Sequence, residues 1–398
     1  MKGLLFIFFA GFATISHAQA VIQGHVVDAQ TNTPLPGTNV YIANTTHGTV
    51  TDAEGAFRID GIQPGHYKII VSFIGYGTQV IDVSTSVNAG YRILLRPSAQ
   101  QLKEIVVHSK KHSRGDWVAN FNLFKEHFIG TSDNYRSCTF ENPRVLDFSK
   151  KGYMLTATAD STLVIENRGL GYRVKIFLEK YEFNTMLIRT HYEGQIIFEE
   201  LVPRDETEEL QWAKARLKAY YGSEMQFFRA LYHHRLNQEG FFFNLIQEEN
   251  FGKRGGIKRI GYADSVKTPR SAIYNYKPIK VHTLVNYNRI LDSLTSTPEQ
   301  PVLKFKGELD IQYIHEAESS SYQQARHHGY GKNPQVSQVK LLKPCIIQLN
   351  GQVYPLDGIE TSGYWSWELV AESLPLNYDP EADEELTGFK ILSEGDHH

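Results

Sequence analysis

The pattern that most restricts the possible fold lies in residues 21–96, where short apolar runs alternate with turns rich in Gly, Pro and Asp. In one run, Tyr67, Ile69 and Val71 occupy every second position, which predicts a strand with one buried face. Pro64-Gly65 directly precedes that run and is a turn sequence. The segment contains about seven such strands at regular spacing, which is typical of a small β-sandwich.

One hairpin can be predicted in more detail, within residues 49–59. Asp52 can accept hydrogen bonds from backbone amides two or three residues later, and Gly55 can adopt a positive φ. Phe57 and Ile59 then point to the same face of the sheet. We therefore expect Asp52 to cap a turn rather than to bind calcium.

The combination of these turns and strands resembles the carboxypeptidase-like regulatory domain, and the resemblance covers residues 21–96 only. The positions that carry it are Gly37, Thr51-Asp52, Gly55, Phe57, Pro64-Gly65 and Gly75-Tyr76. That family is a transthyretin-like sandwich, found beside metallocarboxypeptidases and at the N-terminus of many TonB-dependent outer-membrane receptors. Residues 102–107 also resemble the segment that follows the domain in those receptors. The resemblance implies a binding or stabilising module with no chemistry of its own.

Residues 1–20 have the three parts of a cleavable export signal. Lys2 supplies positive charge, an apolar run follows, and small residues allow cleavage after Ala18 or Ala20. The apolar run is shorter than the roughly 20 residues that a membrane span needs. No Cys lies near the cleavage site, so we do not expect an N-terminal lipoprotein. We predict export to the periplasm or outer membrane of a Gram-negative bacterium.

Length and charge limit the remaining possibilities. A chain of 398 residues exceeds the roughly 250–300 at which single cores stop growing, so two or more domains are expected. A net charge of −3, with scattered Lys and Arg, argues against a nucleic-acid partner. Residues 97–115 are predicted to be a linker. A solvated hinge explains their basic cluster, with contact to acidic lipid headgroups or polysaccharide as the alternative. No later segment is apolar enough for a transmembrane helix.

Residues 116–398 form a mixed region, so the predicted class is mostly β with α, or α+β. Asp116 is the expected N-cap of a helix whose aromatic stripe, from Trp117 to Phe128, packs on a sheet. Alternating segments then predict an antiparallel meander. The predicted strands are 153–159, 163–166, 172–179, 186–192 and 196–201, and later 241–247, 272–276, 280–287, 305–315, 336–342 and 345–349.

Two further helices and one hairpin have clear local signals. Residues 205–221 have acidic residues first and basic residues later, which favours a helix. Ser223-x-x-Gln226 is a capping box for a second helix that reaches about Leu236. Asn350-Gly351 is the strongest hairpin signal in the chain. A short helix is expected from Ser366 to Ser373.

The C-terminal third also holds two features whose surroundings can be predicted. Trp365 and Trp367 are expected to pack in the core, with stacking on sugar rings as the alternative. The acidic stretch 379–385 is expected to be solvated.

We find no catalytic, cofactor or metal motif. The His-x-x-Glu pattern of a zinc carboxypeptidase occurs only at His315 and Glu318, in a segment that alternates like a strand. Residues at this spacing in a strand face opposite sides of the sheet, which argues against a zinc site. Gly-rich phosphate loops, G-x-S-x-G elbows and H-E-x-x-H motifs do not occur. We therefore predict that the protein is not an enzyme and has no cofactor.

The two cysteines, Cys138 and Cys345, form a possible disulfide if the protein is exported. The bond would close a loop of about 200 residues and contribute on the order of 4–5 kcal/mol. The alternative is two buried free thiols, and the sequence leaves both possibilities open.

The leading functional hypothesis is a non-catalytic exported binding or adapter protein of the bacterial envelope. It would dock to an outer-membrane or surface partner or to a glycan, with peripheral membrane association possible. The first alternative is a hydrolase of unfamiliar type that acts on peptide or glycan. Its carboxylates would be found among Glu193, Glu199, Glu200 and Asp310. The second alternative is a purely structural envelope protein that self-associates.

Overall fold

A computed structural model describes residues 19–86, 90–98, 114–250, 257–263, 266–269, 286–326 and 331–389. The predicted signal up to residue 18, most of the linker and the strand predicted at 272–276 lie outside these ranges, as does most of 280–287. Within the described residues the chain is mostly β, with five α-helices and several antiparallel sheets. The predicted α+β class is confirmed.

The N-terminal strands form two facing sheets. Their order is β4-β1-β7 in the first sheet and β3-β2-β5-β6 in the second, with β1 and β7 parallel. The strands are β1 (Ala20–Asp28), β2 (Asn39–Ile42), β3 (Gly48–Val50), β4 (Ala56–Ile62), β5 (His66–Ser72), β6 (Gln79–Ser84) and β7 (Tyr91–Leu95). Tyr67, Ile69 and Val71 lie in the core between the sheets, as their alternation predicts. The boundary with the linker stays a prediction.

The predicted turn at Asp52 is present, but the predicted hairpin was wrong, because β3 and β4 lie in different sheets and do not pair. The Asp52 carboxylate accepts hydrogen bonds from the backbone N–H of Glu54 at 3.1 Å and of Ala56 at 2.7 Å. Gly55 has a φ of +71°, and a Cβ there would lie 2.5 Å from the carbonyl oxygen of Val26. The turn therefore needs glycine at this position because of both its backbone conformation and its close contact.

A second sheet unit follows, covered on one side by helix α1 (Arg114–Ile129). Its order is β8-β11-β12-β10-β9, with β13 also paired to β12. The strands are β8 (Cys138–Phe140), β9 (Leu146–Lys151), β10 (Met154–Ala159), β11 (Leu163–Asn167), β12 (Tyr172–Asn184) and β13 (Arg189–Glu200). Phe124 and Phe128 are buried against the sheet, which confirms the packed stripe. The predicted N-cap was wrong: the helix begins at Arg114, so Asp116 lies inside its first turn.

The meander prediction needs one correction. The two strands predicted at 186–192 and 196–201 are a single strand, β13, and residues 186–188 form the turn before it. The side chain of Asn184 accepts hydrogen bonds from the backbone N–H of Met186 and of Leu187, each at 3.0 Å. These bonds end β12 and fold the apolar residues into a turn, although their hydrophobicity suggested a strand.

A third unit contains the remaining strands and helices. Its main sheet has the order β16-β15-β14-β18-β19-β22, and a small sheet has the order β17-β20-β21. The strands are β14 (Phe241–Asn250), β15 (Ile257–Ala263), β16 (Val266–Pro269), β17 (Val302–Leu303), β18 (Glu308–Ala317), β19 (Pro334–Leu341), β20 (Cys345–Ile347), β21 (Val353–Tyr354) and β22 (Ile359–Gly363). The helices are α2 (Glu206–Tyr220), α3 (Glu224–Tyr232), α4 (Ser320–Ala325) and α5 (Pro380–Thr387).

Helices α2 and α3 each begin with a side-chain N-cap, and the sequence predicted the one at Ser223. Asp205 accepts a hydrogen bond from the backbone N–H of Glu208 at 2.8 Å, and Ser223 accepts one from Gln226 at 3.1 Å. Helix α3 ends at Tyr232, one turn before the predicted end. The Asn350-Gly351 hairpin joins β20 to β21, as predicted.

The C-terminal stretch differs from the prediction in two places. The helix expected from Ser366 to Ser373 is reduced to a 3₁₀ turn at Val370–Glu372. The acidic stretch 379–385, expected to be solvated, belongs to helix α5, which packs on α2. Trp365 is buried and its indole N–H donates to the carbonyl oxygen of Gly222 at 2.6 Å, which confirms its core position.

The larger region has two main hydrophobic cores, one per sheet unit, and α2 lies between them. Ala219 belongs to the first core and Leu217 to the second. Each core contains one cysteine: Cys138 donates to the carbonyl oxygen of Asn134 at 3.5 Å, and Cys345 lies in the other core. In the structure both cysteines are free thiols, the second of the two alternatives.

Candidate functional site

The outer face of the second sandwich sheet is buried against the β12–β13 hairpin. Ala43, Ile70 and Ile197 form a small apolar cluster there, and all three are buried. Tyr41, Val80 and Phe177 are half-buried around it. Strand β5 is therefore covered on both faces, by its own partner sheet and by the larger region.

Backbone hydrogen bonds fix the first edge of this interface. The N–H of Asn44 donates to the carbonyl oxygen of Ile196 at 2.6 Å, and the N–H of Phe198 donates to Thr45 at 3.0 Å. The carbonyl oxygen of Asn44 also accepts from the N–H of Leu376 at 2.7 Å. The turn after β2 therefore pairs with the free side of β13 and with the C-terminal stretch.

Polar side chains from the Asn350-Gly351 hairpin fix the second edge. The side-chain amide of Gln348 accepts from the backbone N–H of His66 and donates to its carbonyl oxygen at 3.3 Å. Asn350 donates to the phenol oxygen of Tyr67 at 3.3 Å, and burial raises the pKa of Tyr67 to about 12. A Cβ on Gly65 would lie 2.3 Å from Gln348 Oε1, so glycine allows this close contact.

A small, shallow cleft lies along this interface, and we call it the interdomain cleft. It is lined by Ala43, Asn44, His66, Tyr67, Lys68, Asp82, Gln195, Gln352, Tyr354 and Leu356. The His66 and Tyr354 rings stack with centroids 4.4 Å apart and planes 10° apart. Lys68 and Asp82 form an ion pair at 3.1 Å. The lining thus offers amide, ammonium and carboxylate groups beside a pair of flat rings, a set suited to a small polar ligand.

The carboxylates considered for a hydrolase are held by separate partners. Glu199 pairs with Lys175, and Glu193 lies 3.5 Å from His191. Asp310 accepts from Gln338 at 2.9 Å in a different sheet. Glu200 follows Glu199 in β13 and so faces the opposite side. None of the four belongs to the lining of the interdomain cleft.

The His-x-x-Glu pattern is divided between a strand and the loop after it. His315 lies in β18, its ring is 5.7 Å from that of Tyr313, and Glu318 follows the end of the strand. Within the described parts of the chain, no group of three or more His, Cys, Asp or Glu side chains could hold a metal ion. Nor is any helix in these parts long and apolar enough to cross a membrane.

Sequence reasoning missed the residues that build the interface. Ile70 was the available signal, because it places an apolar side chain on the face of β5 that alternation assigns to solvent. Gln348 and Tyr354 flank the predicted Asn350-Gly351 hairpin, but nothing local to them indicates a contact with His66. These contacts join residues more than half the chain apart.

Comparisons with known proteins identify the N-terminal segment. Residues 22–107 match the family model of the CarboxypepD_reg-like domain, so this segment is a carboxypeptidase-like regulatory domain segment, as its motifs predicted. The same segment is similar to the TonB-dependent receptor SusC of Bacteroides thetaiotaomicron, with 35% identity over 107 residues. It is also similar to the TonB-dependent receptor P39 of Formosa agariphila, with 31% identity over 110 residues. Each alignment covers 27% of this chain and 10% of the receptor.

The chain therefore spans about a tenth of the length of the curated relatives it matches. Among solved structures, a type II cohesin-X-dockerin complex from Acetivibrio cellulolyticus is 28% identical, with 20% of this chain and 58% of that chain covered and a TM-score of 0.17. The Bacillus cereus major pilin subunit BcpA is 9% identical, covers 46% of this chain and 69% of its own, and has a TM-score of 0.15. At these TM-scores neither similarity bears on the fold or function of this chain. The match to a regulatory domain fits a non-catalytic binding role.

Proposed function

We propose that this chain, in which residues 22–107 are a carboxypeptidase-like regulatory domain, is a non-catalytic exported binding or adapter protein of the bacterial envelope. The signal-like residues 1–20 support export. The similarity of the domain to the N-terminal parts of TonB-dependent receptors supports an envelope location, in the periplasm or at the outer membrane. The protein would dock to an outer-membrane or surface partner or to a glycan.

The observation that carries this proposal is the interdomain cleft. Ligand sites occur preferentially at domain interfaces, and this small cleft lies where the sandwich meets the larger region. The flat His66–Tyr354 pair suits stacking, and Gln195 and Gln352 can both donate and accept hydrogen bonds.

A pair of matched variants tests the cleft. Lys68→Ala removes a cation that lines the cleft and pairs with Asp82. Arg58→Ala removes the equivalent strand cation, paired with Asp60, from the other sheet of the sandwich. We expect Lys68→Ala to weaken binding by about 10- to 100-fold, since hydrogen bonds to charged groups contribute about 1.5–3 kcal/mol, and Arg58→Ala to leave it unchanged.

The readouts are a glycan array with purified protein and crosslinking in the native envelope followed by affinity capture. Gln352→Ala gives an independent test, because it removes an uncharged group from the same cleft. Equal binding by wild type, Lys68→Ala and Gln352→Ala would exclude the cleft as the site. A protein that captured no envelope component and bound no glycan would contradict the proposed function itself.

A further inference from the structure

The turn between β12 and β13 exposes three consecutive large apolar side chains. Met186, Leu187 and Ile188 are 67%, 65% and 67% exposed, and Tyr153, in the turn between β9 and β10, is 64% exposed. The other exposed large hydrophobic residues in the described part of the chain are isolated in sequence. We call these four residues the apolar tip. Contiguous exposed apolar side chains mark interaction sites, whereas isolated ones need no explanation.

The apolar tip is held in place by hydrogen bonds to both turns. The backbone N–H of Thr185 donates to the carbonyl oxygen of Tyr153 at 2.8 Å, and its hydroxyl donates to the same oxygen at 3.1 Å. Ile188 has a φ of +50°, a conformation that β-branched residues rarely adopt. The turn therefore presents apolar side chains to solvent at a position where Asn or Gly would fit with less strain.

Positive charge surrounds the apolar tip. Lys150 and Lys151 are exposed at the end of β9, where Lys151 is paired with Met154, next to Tyr153. Arg189 begins β13, and its side chain is 75% exposed. Among the described residues, Arg189 forms an ion pair with Glu360 at 3.9 Å, and neither lysine forms a salt bridge. The rim is therefore cationic overall.

We propose that the apolar tip inserts into the surface of an anionic lipid bilayer, with Lys150, Lys151 and Arg189 on the headgroups. Apolar side chains flanked by cations bind at the boundary of headgroups and acyl chains, and tyrosine favours the same depth. Each cation near an anionic surface strengthens binding by about fivefold. The same charges argue against a second copy as the partner, because two cationic rims repel each other.

The first test is cosedimentation of the full chain with phosphatidylcholine vesicles, with and without phosphatidylglycerol. The wild type should bind the anionic vesicles and release them at high salt. The triple variant Met186→Ser, Leu187→Ser, Ile188→Asn should lose binding; Asn at position 188 tolerates the positive φ, so the turn should still fold. A control variant, Ile74→Ser, Val202→Ser, Leu294→Ser, removes three even more exposed apolar residues, at 85–90% exposure, from other loops and should bind like the wild type.

A charge variant and a reporter separate the two parts of the proposal. Lys150→Gln, Lys151→Gln should weaken binding by about 25-fold, fivefold for each cation. Leu187→Trp should shift its emission to shorter wavelength on anionic vesicles and be quenched by brominated acyl chains. Unchanged thermal unfolding curves would confirm that each variant is folded.

Several results would overturn the proposal. One is that the wild type fails to bind vesicles, and a second is that the triple variant of the apolar tip binds them as well as the wild type does. A third such result is that binding is lost only in the linker variant Lys110→Gln, Lys111→Gln. A dimer in sedimentation velocity that the tip variant abolishes, without vesicle binding, would assign the apolar tip to a second copy. Lys68→Ala changes the interdomain cleft and should retain vesicle binding. The two proposals, ligand binding at the cleft and membrane binding at the apolar tip, can therefore fail independently.

Discussion

Burial determines how reactive the thiols of Cys138 and Cys345 are. Desolvation raises the pKa of Cys138 to about 12, with Glu372 acting in the same direction and Lys125 against it. Burial also raises the pKa of Cys345. Since the thiolate is the reactive form, a thiol with a pKa of about 12 is ionised to roughly one part in ten thousand at pH 8. Both cysteines should therefore be unreactive while the protein is folded.

We predict that iodoacetamide at pH 8 modifies neither cysteine quickly in the native protein. After denaturation without reductant it should modify both, because unfolding returns each pKa to its ordinary value near 8.5 and raises the thiolate fraction. Intact-mass spectrometry counts the added groups. If denatured protein gained groups only after reduction, Cys138 and Cys345 would be a disulfide, the other alternative that the sequence leaves open.

At the scale of elements, one buried ion pair docks helix α5 on α2. The guanidinium of Arg216 donates to both carboxylate oxygens of Asp383, at 2.7 and 2.6 Å. The hydroxyl of Tyr378 donates to the same carboxylate at 2.8 Å. The Arg216 and Asp383 side chains are only 17% and 7% exposed. This pair explains why an acidic stretch that looks solvated in sequence forms a packed helix.

We predict that Asp383→Ala destabilises this unit by about 3–5 kcal/mol, because it leaves a buried guanidinium without its partner. Asp133→Ala is the matched control: Asp133 pairs with Lys218 on the same helix, but both side chains are about 60% exposed. That change should cost about 1 kcal/mol or less. Urea unfolding followed by circular dichroism measures both. Equal destabilisation by the two substitutions would show that burial of the Arg216–Asp383 pair contributes nothing to stability.

At the scale of the whole molecule, the sandwich is joined to the larger region by a specific interface. The apolar cluster at Ile70 and Ile197 lies between two sets of hydrogen bonds, one from Asn44 and one from Gln348. An apolar centre with polar edges is the usual anatomy of a specific protein interface. The interdomain cleft exists only while the two parts stay in contact, so ligand binding there depends on this interface.

We predict that Ile70→Asp separates the sandwich from the larger region, because the new carboxylate would be buried without a partner. The radius of gyration from small-angle X-ray scattering should increase. Val50→Asp, at a 55% exposed position in the same sandwich sheet, should leave it unchanged. Ile197→Asp changes the larger region's side of the interface and should also increase the radius of gyration, without altering the sandwich. Unchanged scattering for both buried variants would contradict the interface.

The sequence by itself determined the features that depend on neighbouring residues. The Asp52 turn, the cap at Ser223 and the Asn350-Gly351 hairpin were all predicted, because each is held by hydrogen bonds or backbone conformations within a few residues. The sandwich followed from the same local signals. Prediction failed where two local signals competed. The apolar residues 186–188 favoured a strand, but the hydrogen bonds to the Asn184 side chain hold them in a turn.

Only the tertiary structure decided which surfaces meet. Gln348 is 282 residues from His66, and Arg216 is 167 residues from Asp383. No periodicity in the sequence links such residues, because desolvation and hydrogen bonding select the pair only after the sheets have packed. For the same reason, the sequence alone does not show that Ile70 is buried and Leu187 is exposed. Both residues are apolar and lie in predicted strands. Their opposite exposure depends on which residues the folded chain packs against each of them.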